Sequence, residues 1–138
     1  MAVTPNLRTD VLLRSEETGG YVSATEIVVP PRTAGPPLHT HDFDEAFYML
    51  EGELTFRLGD ELLTRKAGEL AFARRGVHHA FANPTESDAQ TLLVCTPAGF
   101  ERYFQRIAAR QAGVEPPPEA LDPWPEVTTV GPRIGEEG

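Results

Sequence analysis

One cysteine in 138 residues leaves Cys95 without an internal disulfide partner, so the fold must rest on its core, and a reducing compartment suits it. Basic residues are few. Twelve Lys and Arg stand against 21 Asp and Glu, a formal net charge of −9 that no Lys/Arg cluster offsets. Such a chain repels phosphate backbones, which argues against nucleic acid as a partner. No apolar run approaches the roughly 20 residues of a membrane span. The opening stretch from Met1 to Arg8 lacks a charged-then-apolar signal pattern. These absences lead to the expectation of a soluble, cytoplasmic protein with no membrane partner. The length suits one domain with one ordinary core.

Histidine is scarce as well, and its placement is the most informative feature of the chain. All four histidines fall in two windows, one holding His39, His41 and Glu45 and the other His78 and His79. Residues two apart in a strand face the same way, so His39 and His41 present two imidazoles side by side. Glu45 shares their parity and can bring a carboxylate to the same point, and the second window can add a third imidazole. Neutral imidazole with carboxylate suits a divalent transition metal: Fe, Mn, Ni, Cu or Zn.

The windows resemble the two signature motifs of the cupin superfamily. His39-x-His41-x3-Glu45-x6-Gly52 fits the first motif from its histidines onward, although Gly35 lies nearer to His39 than is usual. Gly68, Gly76, His79 and Asn83 fit the second in register, with Arg74 at the usual proline position. Fifteen residues, 53–67, separate the motifs, and the resemblance spans roughly 20–97. It implies a jelly-roll β-barrel and His39, His41, Glu45 and His79 as metal ligands. His78, of opposite parity to His79, is expected to point away.

Short strands alternate with turn signals through the middle of the chain, over 21–29, 45–51, 53–58, 61–66, 70–73, 78–82 and 91–96. Gly59-Asp60 and Ala67-Gly68 make hairpin turns. This agrees with an all-β sandwich or closed barrel. After it, Thr96 can cap a helix, with Pro97 at its first position and Phe100, Phe104, Ile107 and Ala108 in one apolar stripe. Glu101 near the start and Arg110 near the end complement the helix dipole, and Gly113 stops the helix. The stripe suits packing on the outside of the barrel better than a cofactor or partner site. The expected division is a barrel over 1–97, a helix over 98–113 and a proline-rich tail over 114–138. Six of the thirteen prolines fall in the tail, which is expected to be extended, with Trp124 as a packing anchor rather than a substrate contact.

Parity from Glu45 turns Phe47 and Met49 inward, and parity from His79 does the same for Phe81. With Phe56 and Phe72, these are expected to line an apolar pocket over the metal, suited to a small, partly aromatic or hydrophobic molecule. Arg74 and Arg75 read as a solvated surface pair rather than a guide for acidic substrates. Cys95 reads as a small buried residue of the last strand.

Three imidazoles and one carboxylate leave two positions open on a six-coordinate metal, and Glu45 could serve as the catalytic base. The resemblance points first to dioxygenases acting on small oxygenated organics, such as the quercetinase-like group. Metal-dependent isomerases or lyases come next, and after them a small-molecule-binding module without chemistry. Exposed edge strands and the isolated Trp124 lead to the expectation of a homodimer.

Overall fold

The computed structural model describes residues 7–136. The first six residues, read above for a signal pattern, and the last two lie outside the described residues. Among the described residues, ten strands form two five-stranded sheets in which every pairing is antiparallel. In chain order they are β1 (Arg8–Leu13), β2 (Ser23–Val29), β3 (His39–His41), β4 (Asp44–Glu51), β5 (Glu53–Leu58), β6 (Glu61–Lys66), β7 (Leu70–Ala73), β8 (His79–Ala82), β9 (Ala89–Thr96) and β10 (Val127–Thr129). One sheet runs β1-β2-β9-β4-β7, the other β10-β3-β8-β5-β6. This is the jelly-roll architecture expected from the sequence. A one-turn helix, α1 (Ser15–Thr18), follows β1, and the long helix α2 (Glu101–Ala112) follows β9. None of the described helices is long and apolar enough to cross a membrane.

Period-two alternation builds the interior. β2 alternates buried and half-buried residues from Ser23 to Val29, and β9 does the same from Ala89 to Cys95. Phe43, Phe56, Ile27, Met49, Leu54 and Leu93 are the largest apolar side chains wholly enclosed between the sheets. The same rule overturns one expectation. In β7, Ala71 and Ala73 point inward, so Phe72 points outward and is 51% exposed.

Two glycines of the histidine windows are needed where they stand. Gly35 has φ +75°, and a Cβ there would lie 1.7 Å from the Phe81 carbonyl oxygen of β8. Gly52 has φ +70°, and its Cβ would lie 2.5 Å from the Asp88 carbonyl oxygen. In both places a side chain would collide with backbone, so only glycine lets the strands approach. Asn83 pins the end of β8. Its side chain, fully buried, donates to the carbonyls of Val29, Pro30 and Ser87 and accepts from Thr85.

The helix begins later than the sequence suggested. Thr96 is still paired with Asp44 in the sheet, so it ends β9 rather than capping α2, and Phe100 takes the N-cap position. Gly113 ends the helix at φ +69°, as expected. Nor is the tail simply extended. A 3-10 turn at Pro118–Leu121 is followed by β10, which pairs with β3 in the register Val127↔His41 and Thr129↔His39.

Buried Glu101 fastens α2 to the N-terminal region. Its carboxylate accepts from the backbone N–H and hydroxyl of Ser15 and from the Gly99 N–H at 2.7 Å. Burial alone would raise its pKa, but these donors, Ser15 above all, outweigh burial and hold it below the usual carboxylate range. A depressed folded pKa stabilises the fold above the unfolded value of about 4.3, and that contribution disappears as pH falls through the folded value. Glu101→Gln turns an amide donor toward groups that themselves donate, and is expected to destabilise by about 1–3 kcal/mol at pH 7. In denaturant titrations the gap between wild type and variant should be full at pH 7 and narrow below about pH 4.

Candidate metal centre and its cavity

The ligand cluster is assembled by three strands. β3 carries His39 and His41, β4 carries Glu45, and β8 carries His79, which lies directly opposite His39 in the sheet. One potential ligand atom from each of the four residues lies within 4.8 Å of all the others. That spread suits a single ion with bonds of roughly 2.1 Å, whose opposite ligands stand about 4.2 Å apart. His41, Glu45 and His79 are buried and His39 is half-buried.

Each imidazole is aimed by its own backbone. Nδ1 of His39 donates to the Pro37 carbonyl at 2.8 Å, Nδ1 of His41 to Phe43 at 3.0 Å, and Nδ1 of His79 to Val77 at 2.8 Å. A carbonyl only accepts, so each Nδ1 carries the hydrogen and each neutral ring keeps its lone pair on Nε2. Yet Nε2 of His41 lies 3.0 Å, and Nε2 of His79 2.8 Å, from the same Glu45 oxygen, Oε1. Lone pair would face lone pair in both contacts unless a proton or a cation stands between them. The donor set therefore fits a divalent metal ion: three preset nitrogen donors and a buried anion in need of positive charge.

The electrostatics agree. Burial opposes ionisation of Glu45, but hydrogen bonds and charge from His41 and His79 outweigh it and hold its pKa at about 2. Burial, and then the neighbouring His79, push His39 down to about 4, leaving it a neutral donor at pH 7. For His79, burial works against the proton, but Glu45 prevails and the net direction is upward. Cys95, directly opposite Glu45 on β9, places its Sγ 3.9 Å from the other carboxylate oxygen, Oε2. Burial, and then the charge of Glu45, raise its thiol well above the ordinary value, so it remains a neutral donor.

Beside the cluster lies an apolar cavity of about 280 Å³, whose wall includes His39 and Glu45. Phe47 and Phe81 line it, as parity predicts, with rings 5.9 Å apart. The other three expected lining residues do not. Met49 has the right parity but lies two residues further along β4, roughly 7 Å away, and is fully enclosed in the core. Phe56 is likewise enclosed, packed on Phe47 at 5.2 Å. Phe72 is on the outer face. His78 is exposed and outside the ligand cluster. Arg75 ion-pairs with Asp44 at 3.1 Å, and neither it nor Arg74 reaches the cavity.

The rest of the wall comes from elements that sequence reasoning placed elsewhere. Phe100, Tyr103 and Phe104 of the α2 segment line the cavity, so the apolar stripe does more than pack on the outside. Trp124 does anchor the tail, 6.2 Å from the Tyr103 ring and under the Arg106 guanidinium at 5.0 Å, but it lines the cavity too. Val127 and Thr129 of β10 join it. They face the cavity because they stand opposite His41 and His39 in the pairing of β10 with β3.

Residues 25–95, just over half of the chain, match the model of the cupin domain family. The chain belongs to the cupin family. No curated protein matches the sequence of this cupin. Among solved structures, it is similar to a predicted oxalate decarboxylase from Thermotoga maritima, with 26% identity and a TM-score of 0.62 over 66% of this chain and 80% of that one. A protein from Thermus thermophilus is 26% identical, with a TM-score of 0.60 over 70% of this cupin and 90% of its own chain. The polyketide cyclase RemF from Streptomyces resistomycificus is 24% identical, with a TM-score of 0.60 over 67% and 66% of the two chains; that likeness is one of fold alone.

Replacing His41 or His79 by Ala removes one of the converging nitrogens and should abolish stoichiometric metal binding, read by elemental analysis of tag-free protein. The circular dichroism spectrum should keep its β character. His78→Ala should retain full metal content.

Proposed function

We propose that this cupin is a metal-dependent enzyme of the dioxygenase type, acting on a small organic substrate with adjacent oxygens. The observation that carries the reading is the conjunction of three imidazoles and a carboxylate with an apolar cavity on one side of them. His39, His41, Glu45 and His79 would hold the metal, which supplies Lewis acidity and a partner for dioxygen when bound. Glu45 is the catalytic residue, its carboxylate taking the proton of a substrate hydroxyl as an enediol, catechol or hydroxyketone docks. Phe47 and Phe81 keep water from the reacting carbon. Cys95, a neutral donor at Oε2, orients the carboxylate.

A metal-dependent lyase or isomerase is the second reading. The Thermotoga maritima structure at 26% identity favours it, being described as a predicted oxalate decarboxylase. Against oxalate stands the cavity itself, since no Lys or Arg is among its described lining residues to meet a dianion. A module that binds its ligand without chemistry is the third. The deciding measurement is oxygen uptake by iron-, manganese- and nickel-loaded protein over a panel of enediols, catechols and hydroxyketones. Uptake above the His79→Ala control supports the oxygenase, and none on any compound rejects it in favour of the lyase or binding readings.

We propose further that the protein works as a homodimer through the outer face of the β1-β2-β9-β4-β7 sheet. Tyr48, Leu70 and Phe72 stand exposed there, with Tyr48 paired to Leu70 across β4 and β7. Trp124, packed on its own helix, no longer argues for a partner. An apolar patch at a sheet edge does, and a second copy of the same face is its simplest complement. Light scattering should give a dimer mass for wild type and a monomer for Phe72→Asp. A wild-type monomer at micromolar concentration would exclude it.

A further inference from the structure

The cavity wall contributed by Phe100, Tyr103, Phe104, Trp124 and Val127 lies wholly outside residues 25–95, the segment that matches the family. It lies beyond the matched segment, and it is firmly built. Arg102 donates to the Pro123 carbonyl at 3.0 Å and pairs with Glu16 at 3.0 Å, tying the tail to α2 and α1. A Cβ on Gly99 would lie 3.0 Å from Pro125 Cδ, so the tail runs against the start of the helix with little space between. β10 then fixes Val127 and Thr129 beside the two ligands of β3.

Three properties of the cavity define what it accepts. The first is aromatic surface. Phe100 and Tyr103 stack at 5.1 Å, Phe104 meets Phe100 edge-on at 5.2 Å, and Trp124 lies 6.2 Å from Tyr103, within the range where rings attract rings. The second is charge. Glu45 is the one ionised group among the described lining residues, so a ligand phosphate or second carboxylate would be buried unpaired. The third is size. An apolar cavity of about 150 Å³ takes one benzene ring; at about 280 Å³ and open on one side, this one holds a substituted single ring or two fused rings within its walls and leaves the third ring of a flavonol outside their contact.

We infer that the C-terminal wall makes the site selective for a neutral molecule of one ring or two fused rings, with adjacent oxygens at the edge that meets the metal ligands. Tyr103 and Trp124 are the specificity-determining residues. The inference rests on the metal-site reading but not on dioxygen chemistry.

Zinc-loaded protein separates the two, because zinc holds the site without redox turnover. Tropolone, a single-ring hydroxyketone, 3-hydroxyflavone, with three rings, and oxalate are each titrated calorimetrically, and zinc content is measured afterwards. Trp124 is the sole tryptophan, so its emission reports contact with the wall. Tropolone is expected to bind at least tenfold more tightly than either of the others and to change Trp124 emission. Tyr103→Ala, which removes one ring and enlarges the space, should weaken tropolone about tenfold and strengthen 3-hydroxyflavone, with zinc content unchanged. Equal affinities for tropolone and 3-hydroxyflavone in the wild type would overturn the inference. So would a Tyr103→Ala variant that shifts both ligands alike, or tropolone binding with Trp124 emission unaltered. Failure to retain zinc at all would instead bring down the metal-site reading beneath it.

Discussion

A carboxylate almost wholly withdrawn from water organises this molecule. Glu45 is 4% exposed, remains ionised, and has two imidazole nitrogens within 3.0 Å of one of its oxygens. A buried negative charge is tolerated only where positive charge or strong donors surround it. Neither Lys nor Arg is among the described residues of the cavity wall to supply that charge. Three backbone carbonyls, of Pro37, Phe43 and Val77, occupy the Nδ1 hydrogens and leave the Nε2 atoms of His41 and His79 to face the carboxylate. His41 is further wedged by Phe43, stacked face to face at 3.6 Å. Fold and site are thus joined: the strands must pair in one register for these rings to meet, and Gly35 and Asn83 hold β8 in that register from outside the site.

Much of the site was legible because strand parity is a strict rule. His39, His41 and Glu45 share a parity across the short break between β3 and β4, and Phe47 and Phe81 follow from Glu45 and His79 by steps of two. Phe72 was placed in the pocket without that rule, since nothing near it fixes parity as a ligand does, and the small residues Ala71 and Ala73 are the inward ones. Met49 and Phe56 failed differently. Both do point inward, but parity says nothing about depth, and the cavity occupies only part of the interior. Cys95 was read as buried, yet its position opposite Glu45 depends on the pairing of β4 with β9, a contact between residues 50 apart.

The C-terminal third resisted for a related reason. Its local signals were correct in kind: a helix ending at Gly113, prolines discouraging regular structure, a tryptophan seeking cover. The residues Val127–Thr129 are too short a strand to be seen by alternation, and their partner, β3, is only three residues long itself. Such an element exists because the partner edge needs it, not because its own sequence demands it. β1 and α1 escaped in the same way, since β1 is half-exposed along its length and α1 is a single turn.

The edge position of β10 has a consequence for how the protein can be handled and altered. β3 is flanked by β8 on one side and by β10 on the other, and the strand that bears two of the four donors owes its second neighbour to the last part of the chain. Without that neighbour β3 would become an open border, offering unpaired amides and carbonyls to any other chain while losing its restraint on His39 and His41. Solubility and ion affinity are therefore tied to one segment. Proteolytic nicking near residue 122, or a fusion that strains the tail, would make the protein stickier and a poorer chelator at the same time, with every ligand residue still in place.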